Sequence, residues 1–210
     1  MSKQEIKNFA VELDIPYLLH FTHISNLESI LENGLYSREA VDAMDQEIIT
    51  NDEGRYDGRV NTISLSIAHP NDRMFTKYRE VDEDWCVLAL RRRVLWQLDC
   101  LFFKHNAADG RISGKDNNEL SGINAFRSMY EELDELDSRE DQCLEPYDPT
   151  DKQAEVLVFD HVPVDYIFGV VVSNRQVKKN YKDILENFKV AINSPGKGVY
   201  ASRLYRRKWQ

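Results

Sequence analysis

The stretch YLLHFTHISNLESILENGL (Tyr17–Leu35) carries the clearest structural signal in this chain of 210 residues. YLLHFTH (Tyr17–His23) follows Pro16 as a short apolar and aromatic run, the pattern of a buried strand. It leads without a linker into SNLESILENGL. There Ser25 and Glu28 have capping-box spacing, Leu27, Ile30 and Leu31 share one helical face, and Gly34 marks the end. The reading is a strand that runs straight into a short capped helix. His20, Thr22 and Asn26 are polar residues set into this otherwise apolar junction.

Downstream the pattern alternates between the two periods. TISLSI (Thr62–Ile67), WCVLAL (Trp85–Leu90), AEVLVF (Ala154–Phe159) and YIFGVVV (Tyr166–Val172) read as strands. Helices are expected at Arg38–Ile49, Gly122–Leu136 and Gln176–Val190, and a last strand at Val199–Tyr205. Residues 104–120, rich in Gly, Asp and Asn, read as loop, and Val94–Phe103 is apolar without a clear period. Strands and helices mix at irregular spacing, so an α+β or mixed fold is expected. The βαβ rhythm, GxGxxG and GxxxxGK[ST] of nucleotide-binding doubly wound sheets are missing. No repeat or linker divides the chain, which predicts a single domain over residues 1–210.

Composition narrows the class. Hydrophobic residues at 42% and charged residues at 30% allow a buried core, and no apolar run reaches the ~20 residues that span a bilayer. The charged N-terminus lacks a signal-peptide core, and three cysteines without CxxC spacing fit neither a disulfide scaffold nor a zinc site, so a reducing cytoplasm is expected. The net charge of −9 is unevenly spread. Glu131–Asp151 holds ten acids and one base, whereas Arg175–Gln210 holds ten bases and two acids. Both blocks can be solvated faces, and the basic one can equally hold a phosphate backbone.

GxSxG, HExxH and DxDxDG are missing, which removes the sequence support for several hydrolase and metal classes. His20 and His23 lie three apart on a strand, hence on opposite faces, so no metal site is expected. Three features remain: the His20/Thr22/Asn26 junction, the turn RYDGR with Arg55 and Arg59, and Glu155 at the mouth of a Val/Leu-rich strand. On pattern alone Glu155 can be a solvated edge residue and the arginines surface residues.

These same residues carry a resemblance. HFTHISNLESILENGL (His20–Leu35), the RYDG turn, SLSIAHPNDRMFTKYR (Ser64–Arg79), the NAA of Asn106–Ala108 and QAEVLVF (Gln153–Phe159) resemble, in order, the motifs of DarT, the DNA ADP-ribosyltransferase toxins of bacterial toxin–antitoxin systems and phage defence. The likeness spans roughly residues 16–172. SLSIxxPNxxMF and NAA are similar to the branch paired with a NADAR-type antitoxin and associated with guanine, where the macrodomain-paired branch modifies thymine.

The resemblance implies an ADP-ribosyltransferase-like fold, two packed β-sheets with peripheral helices around an NAD-binding cleft. It implies transfer of ADP-ribose from NAD⁺ to a base of single-stranded DNA, with no metal. The partners it implies are that DNA and a cognate antitoxin, an ADP-ribosylglycohydrolase of NADAR or macrodomain type. By the same resemblance Glu155 is the catalytic carboxylate and Arg55 the pyrophosphate-binding arginine, with Arg59 as its rival. His20, Thr22 and Asn26 become NAD⁺ contacts, and Met74, Phe75 and Tyr78 fall where the nicotinamide pocket lies, or in the core. His105, Asn106, Arg59 and Arg127 are assigned to the substrate, on or near a loop spanning 104–152, with Tyr130 and the basic C-terminus as further contacts. Two other readings stand beside it: an RNA-directed NAD-dependent transferase, and a non-catalytic relative that binds nucleic acid or a partner.

Overall fold

The computed structural model describes residues 3–44, 58–81, 85–194 and 197–209. The chain opens with a helix the sequence reading left out, α1 (Lys3–Glu12). Ile6, Phe9 and Ala10 fall on one face; Ile6 and Ala10 are buried, and Phe9 meets Phe126 and Tyr130 edge-on. β1 (Leu18–His23) follows, then a 3₁₀ turn at Ile24–Asn26 and α2 (Leu27–Asn33). The strand-to-helix reading holds, but the capping box does not form. His23 caps the 3₁₀ turn instead: its Nδ1 accepts from Ser25 N at 3.3 Å and faces the Ser25 hydroxyl at 2.7 Å. Gly34 does end the helix, at φ +90°.

The remaining elements are β2 (Leu35–Tyr36), α3 (Arg38–Ala43), β3 (Thr62–Ile67), α4 (Asp72–Val81), β4 (Trp85–Leu90), α5 (Val94–Gln97), β5 (Cys100–Phe103), α6 (Gly122–Ser128), β6 (Glu155–Phe159), β7 (His161–Val162), β8 (Ile167–Val172), α7 (Arg175–Asn180), β9 (Lys189–Ile192) and α8 (Arg203–Trp209). Seven strands form one mixed sheet in the order β5-β6-β3-β1-β4-β8-β9, and β2 pairs with β7 apart from it.

The expected two sheets share an edge that is barely sewn. β1 pairs with β4 along its whole length and β3 with β6 over four residues, but β1 and β3 meet only at Leu18↔Ile67 and Leu19↔Ser66. Beyond that point the halves part. One face of the sheet is covered by the main core, in which Leu27, Val94, Leu95 and Phe126 from the helices pack on Leu18, Leu65, Leu88 and Val156. The other face carries two smaller clusters, one around Phe75, Trp85 and Val87, the other around Phe103, Ala107 and Leu157.

The C-terminal third corrects the sequence reading. The helix expected over Gln176–Val190 stops at Asn180, and the chain returns as β9, parallel to β8. Tyr181, Ile184, Leu185 and Phe188 still pack on the core, so irregular turns satisfy a spacing that resembles a helix. The strand expected at Val199–Tyr205 is a 3₁₀ turn followed by α8. The helix begun at Gly122 ends at Ser128, and just beyond it Thr150 N donates to the Met129 carbonyl at 2.8 Å. α3 ends at Ala43 with Met44 as its C-cap; residues 45–49 of the expected Arg38–Ile49 helix lie outside the described residues.

Candidate active site

Glu155 opens β6 opposite Phe103 of β5 and is 7% exposed. Both carboxylate oxygens are oriented: Oε2 accepts from Ala107 N at 2.9 Å and Oε1 from Asn106 Nδ2 at 3.3 Å. These donors sit in the tight turn after β5, where Asn106 Oδ1 takes Ala108 N at 3.0 Å. Asn106 Nδ2 is also 3.6 Å from Met74 Sδ, so the turn, α4 and β6 converge. α4 is aimed there by the Pro70–Asn71 turn. Ser66 Oγ accepts from Asn71 N at 3.2 Å, and Asn71 Oδ1 from Met74 N at 3.3 Å, capping the helix. Phe75, in contrast, is core: it is 1% exposed among Phe21, Tyr200 and the Arg79 guanidinium. Tyr78 is half-buried beside Phe21 and Trp85.

His20 lies where β1 and β3 part. Its Nδ1 is 2.9 Å from the Ser64 carbonyl, a bond that bridges the opening. Burial pushes the ring below the ordinary imidazole range, against the pull of that hydrogen bond, so it is neutral at pH 7. A carbonyl only accepts, so Nδ1 carries the proton and Nε2 is an acceptor, suited to a hydroxyl donor. Thr22 Oγ1 accepts from the buried Asn26 Nδ2 at 3.1 Å, tying β1 to the 3₁₀ turn after it.

The other assigned residues divide. Arg55 lies outside the described residues. Arg59 is a loop pin: Nε reaches Asn117 Oδ1 at 3.3 Å, Nη1 the Ser113 carbonyl at 3.1 Å and Nη2 the Lys115 carbonyl at 2.7 Å, with the guanidinium over Phe103. Its Nε, Nη1 and Nη2 all face the 113–117 loop. Arg59 and this loop together wall an open polar pocket of about 680 Å³. Arg127 is exposed on α6 over the Phe9 ring, on the α1 side of the molecule. Tyr130 packs against Phe9 and Phe126 and bonds the Tyr147 carbonyl, a core role. His105 is buried, its ring against Asp151.

The charged blocks also differ from two separate faces. Asp148 is fully buried and takes Arg207 Nε at 2.5 Å and Nη2 at 2.7 Å. Arg203 donates to the Pro149 and Thr150 carbonyls at 2.7 and 3.0 Å, and Arg139 to the Asp148 and Glu145 carbonyls at 2.8 and 3.1 Å. Sequence reasoning missed this, and with it Asp151 and Glu135 as neighbours of the site. The one local signal is Asp151 two residues before Gln153, the spacing of an Asx turn, which it forms. Among the described residues no cluster of His, Cys, Asp or Glu is arranged to hold a metal, and no helix is long and apolar enough to cross a membrane.

Comparison with known proteins places this architecture. No curated protein matches the sequence. Among solved structures, Thermus sp. 2.9 DarT in complex with ADP-ribosylated ssDNA superposes with a TM-score of 0.57 at 16% identity, over 86% of this chain and 95% of that one. The same protein in complex with NAD⁺ gives 0.54 at 16%, over 86% and 96%. Thermosipho africanus DarTG in complex with ADP-ribose gives 0.58 at 20%, over 84% of this chain and 49% of that one, so the chain spans about half the Thermosipho protein. At such identities the likeness establishes the fold. A family model described as "ssDNA thymidine ADP-ribosyltransferase, DarT" matches residues 19–197. With most of its length inside that match, the chain belongs to the DarT family of ADP-ribosyltransferases that act on single-stranded DNA.

Proposed function

We propose that this protein transfers ADP-ribose from NAD⁺ to a base of single-stranded DNA, releasing nicotinamide, and that Glu155 is its catalytic carboxylate. The observation that carries the reading is the held geometry of Glu155, a buried carboxylate whose oxygens are fixed by Ala107 N and Asn106 Nδ2 beside Met74. In the reaction the bond between C1′ of the nicotinamide ribose and the pyridinium nitrogen breaks. The ribose becomes oxocarbenium-like, and a fixed carboxylate stabilises that charge and can accept the proton the base loses as the new C–N bond forms.

The remaining assignments follow the same reading. His20 accepts a ribose hydroxyl at Nε2, with Thr22 and Asn26 closing that end of β1. Met74 and Tyr78 line the nicotinamide pocket. Arg55 binds the pyrophosphate, where a guanidinium's fixed donors suit two phosphates. The protein acts in the cytoplasm as the toxin of a toxin–antitoxin pair, opposed by an ADP-ribosylglycohydrolase of NADAR or macrodomain type. Guanine is the proposed target, on the strength of SLSIxxPN and NAA. Thymine is the second reading, favoured by the description of the matching family.

The test incubates the protein and Glu155→Gln with NAD⁺ and four single-stranded oligonucleotides, each lacking one base, and reads ADP-ribose adducts by mass spectrometry. The expected result is an adduct missing only from the guanine-free strand, and a rate about 100-fold or more lower in Glu155→Gln. Loss on the thymine-free strand alone selects the second reading. Absence of any DNA adduct from the unmodified protein refutes the proposal.

A further inference from the structure

The bonds that orient Glu155 are themselves held by a second set of side chains. Asn106 and Ala107 belong to the turn after β5, and the residue before them, His105, is 2% exposed. Its Nδ1 lies 2.8 Å from Asp151 Oδ2 and its Nε2 3.3 Å from Glu135 Oε1. Asp151, 6% exposed, is also engaged through two other atoms. Its Oδ1 accepts from Gln153 N at 2.8 Å and its carbonyl from Ala154 N at 3.0 Å. One carboxylate therefore fixes both chain segments that meet at Glu155: the end of β5 through the imidazole, and the start of β6 through its own turn. Glu135 is gripped by Arg111, which also bonds Asp109 in that turn. From the other side, Arg203 and Arg207 of α8 hold residues 148–150, just ahead of Asp151.

We infer that Asp151 and His105 form a clasp that positions Glu155, so that both are positioning residues for the transfer, and that His105 serves this purpose in place of contacting DNA. The inference rests on Glu155 being the catalytic carboxylate. A ring this buried, with a carboxylate at each nitrogen, has no edge to offer a base. Asn106, half-buried and directed at Glu155 and Met74, is the residue of this turn that faces the site. Freeing the turn lets the carboxylate move, and displacement of a catalytic group by ~1 Å costs on the order of 100-fold in rate.

The experiment measures single-turnover transfer to a single-stranded oligonucleotide, the KM for NAD⁺ and for the oligonucleotide, and the thermal midpoint. The variants are Asp151→Ala, His105→Ala, His105→Asn and Glu155→Gln in the full chain. Asp151→Ala and His105→Ala are expected to slow transfer by about 10- to 100-fold while both KM values stay within a few-fold. His105→Asn, whose amide nitrogen falls near the position of Nδ1, should recover most of that loss. Three results overturn the clasp: transfer within twofold of the unmodified protein while Glu155→Gln is inactive; a loss confined to the oligonucleotide KM, which makes His105 a DNA contact; or a loss that follows the unfolded fraction with no recovery in His105→Asn. Should Glu155→Gln itself remain active, the assignment of Glu155 fails first and the clasp with it.

Discussion

His69 shows how much a single residue can store in this fold. It sits beside Ala68, whose φ of +59° turns the chain out of β3, and it is 3% exposed. Its Nδ1 bonds the Pro70 carbonyl at 3.0 Å, and its Nε2 has no partner among the described residues. Burial lowers its pKa from 6.5 to about 4; the Pro70 bond and Asp72 oppose the shift, while Arg206 and Arg203 add to it. The folded value lies below the unfolded one, so the unfolded chain binds the proton first as pH falls. Stability from this residue is complete above pH 6.5 and is lost toward pH 4, at on the order of 1.4 kcal/mol per unit. Urea midpoints at pH 7.5, 6 and 5 should therefore fall less steeply for His69→Gln than for the unmodified protein. Equal slopes would mean that the ring takes up its proton alike in the folded and unfolded states, with no lowering by burial. Nothing in AHPN marks this histidine: its burial belongs to the folded chain, and Arg203 and Arg206, which add to the shift, lie far away in sequence. His20 and Glu155 stood out as candidates by local pattern, a polar residue inside an apolar strand and a carboxylate at the mouth of one, while the roles proposed for them came only with the resemblance to DarT.

At the scale of elements, the junction after α2 depends on one glycine. A Cβ on Gly34 would stand 2.4 Å from the Val162 carbonyl oxygen and 2.7 Å from His161 Nε2, in a backbone conformation that L residues avoid. β2 leaves this residue directly to pair with β7, so the small sheet cannot move aside without breaking Leu35↔Val162. Gly34→Ala should destabilise the protein by more than about 1 kcal/mol, read as a lower denaturant midpoint at unchanged slope. A midpoint within error of the unmodified protein would show that this junction yields freely. Gly34 was readable as a helix stop from sequence, and so was the strand before it. The cap was misassigned because Ser25 had two suitors, and His23, two residues away, is nearer than Glu28. α8 went unread for a different reason: its anchors, Asp72, Asp148 and the 149–150 carbonyls, are all supplied from elsewhere.

For the whole molecule, the opposed charge blocks are one structural device. The acidic segment cannot hold its course alone, since like charges repel along it, and the basic C-terminus has the same difficulty in reverse. Asp148 and Arg207 join the two across 59 residues, with side chains only 0% and 7% exposed. A pair taken this far out of water gains little over an apolar replacement, but breaking it leaves one charge buried and uncompensated. Arg207→Ala is thus expected to cost about 3–5 kcal/mol, and Asp148→Asn a comparable amount. The double variant should cost clearly less than the two added together, because neither charge then remains to be hidden. Raising NaCl from 50 mM to 500 mM should change these differences little, since mobile ions screen exposed pairs and not one enclosed by Tyr147 and the 145–150 turn. Denaturant midpoints of the four proteins at both salt concentrations decide the matter. A single-variant cost under about 1 kcal/mol, abolished by salt, is the behaviour of a surface pair. That outcome would release α8 and its basic residues from the scaffold and return them to the list of surfaces available to DNA.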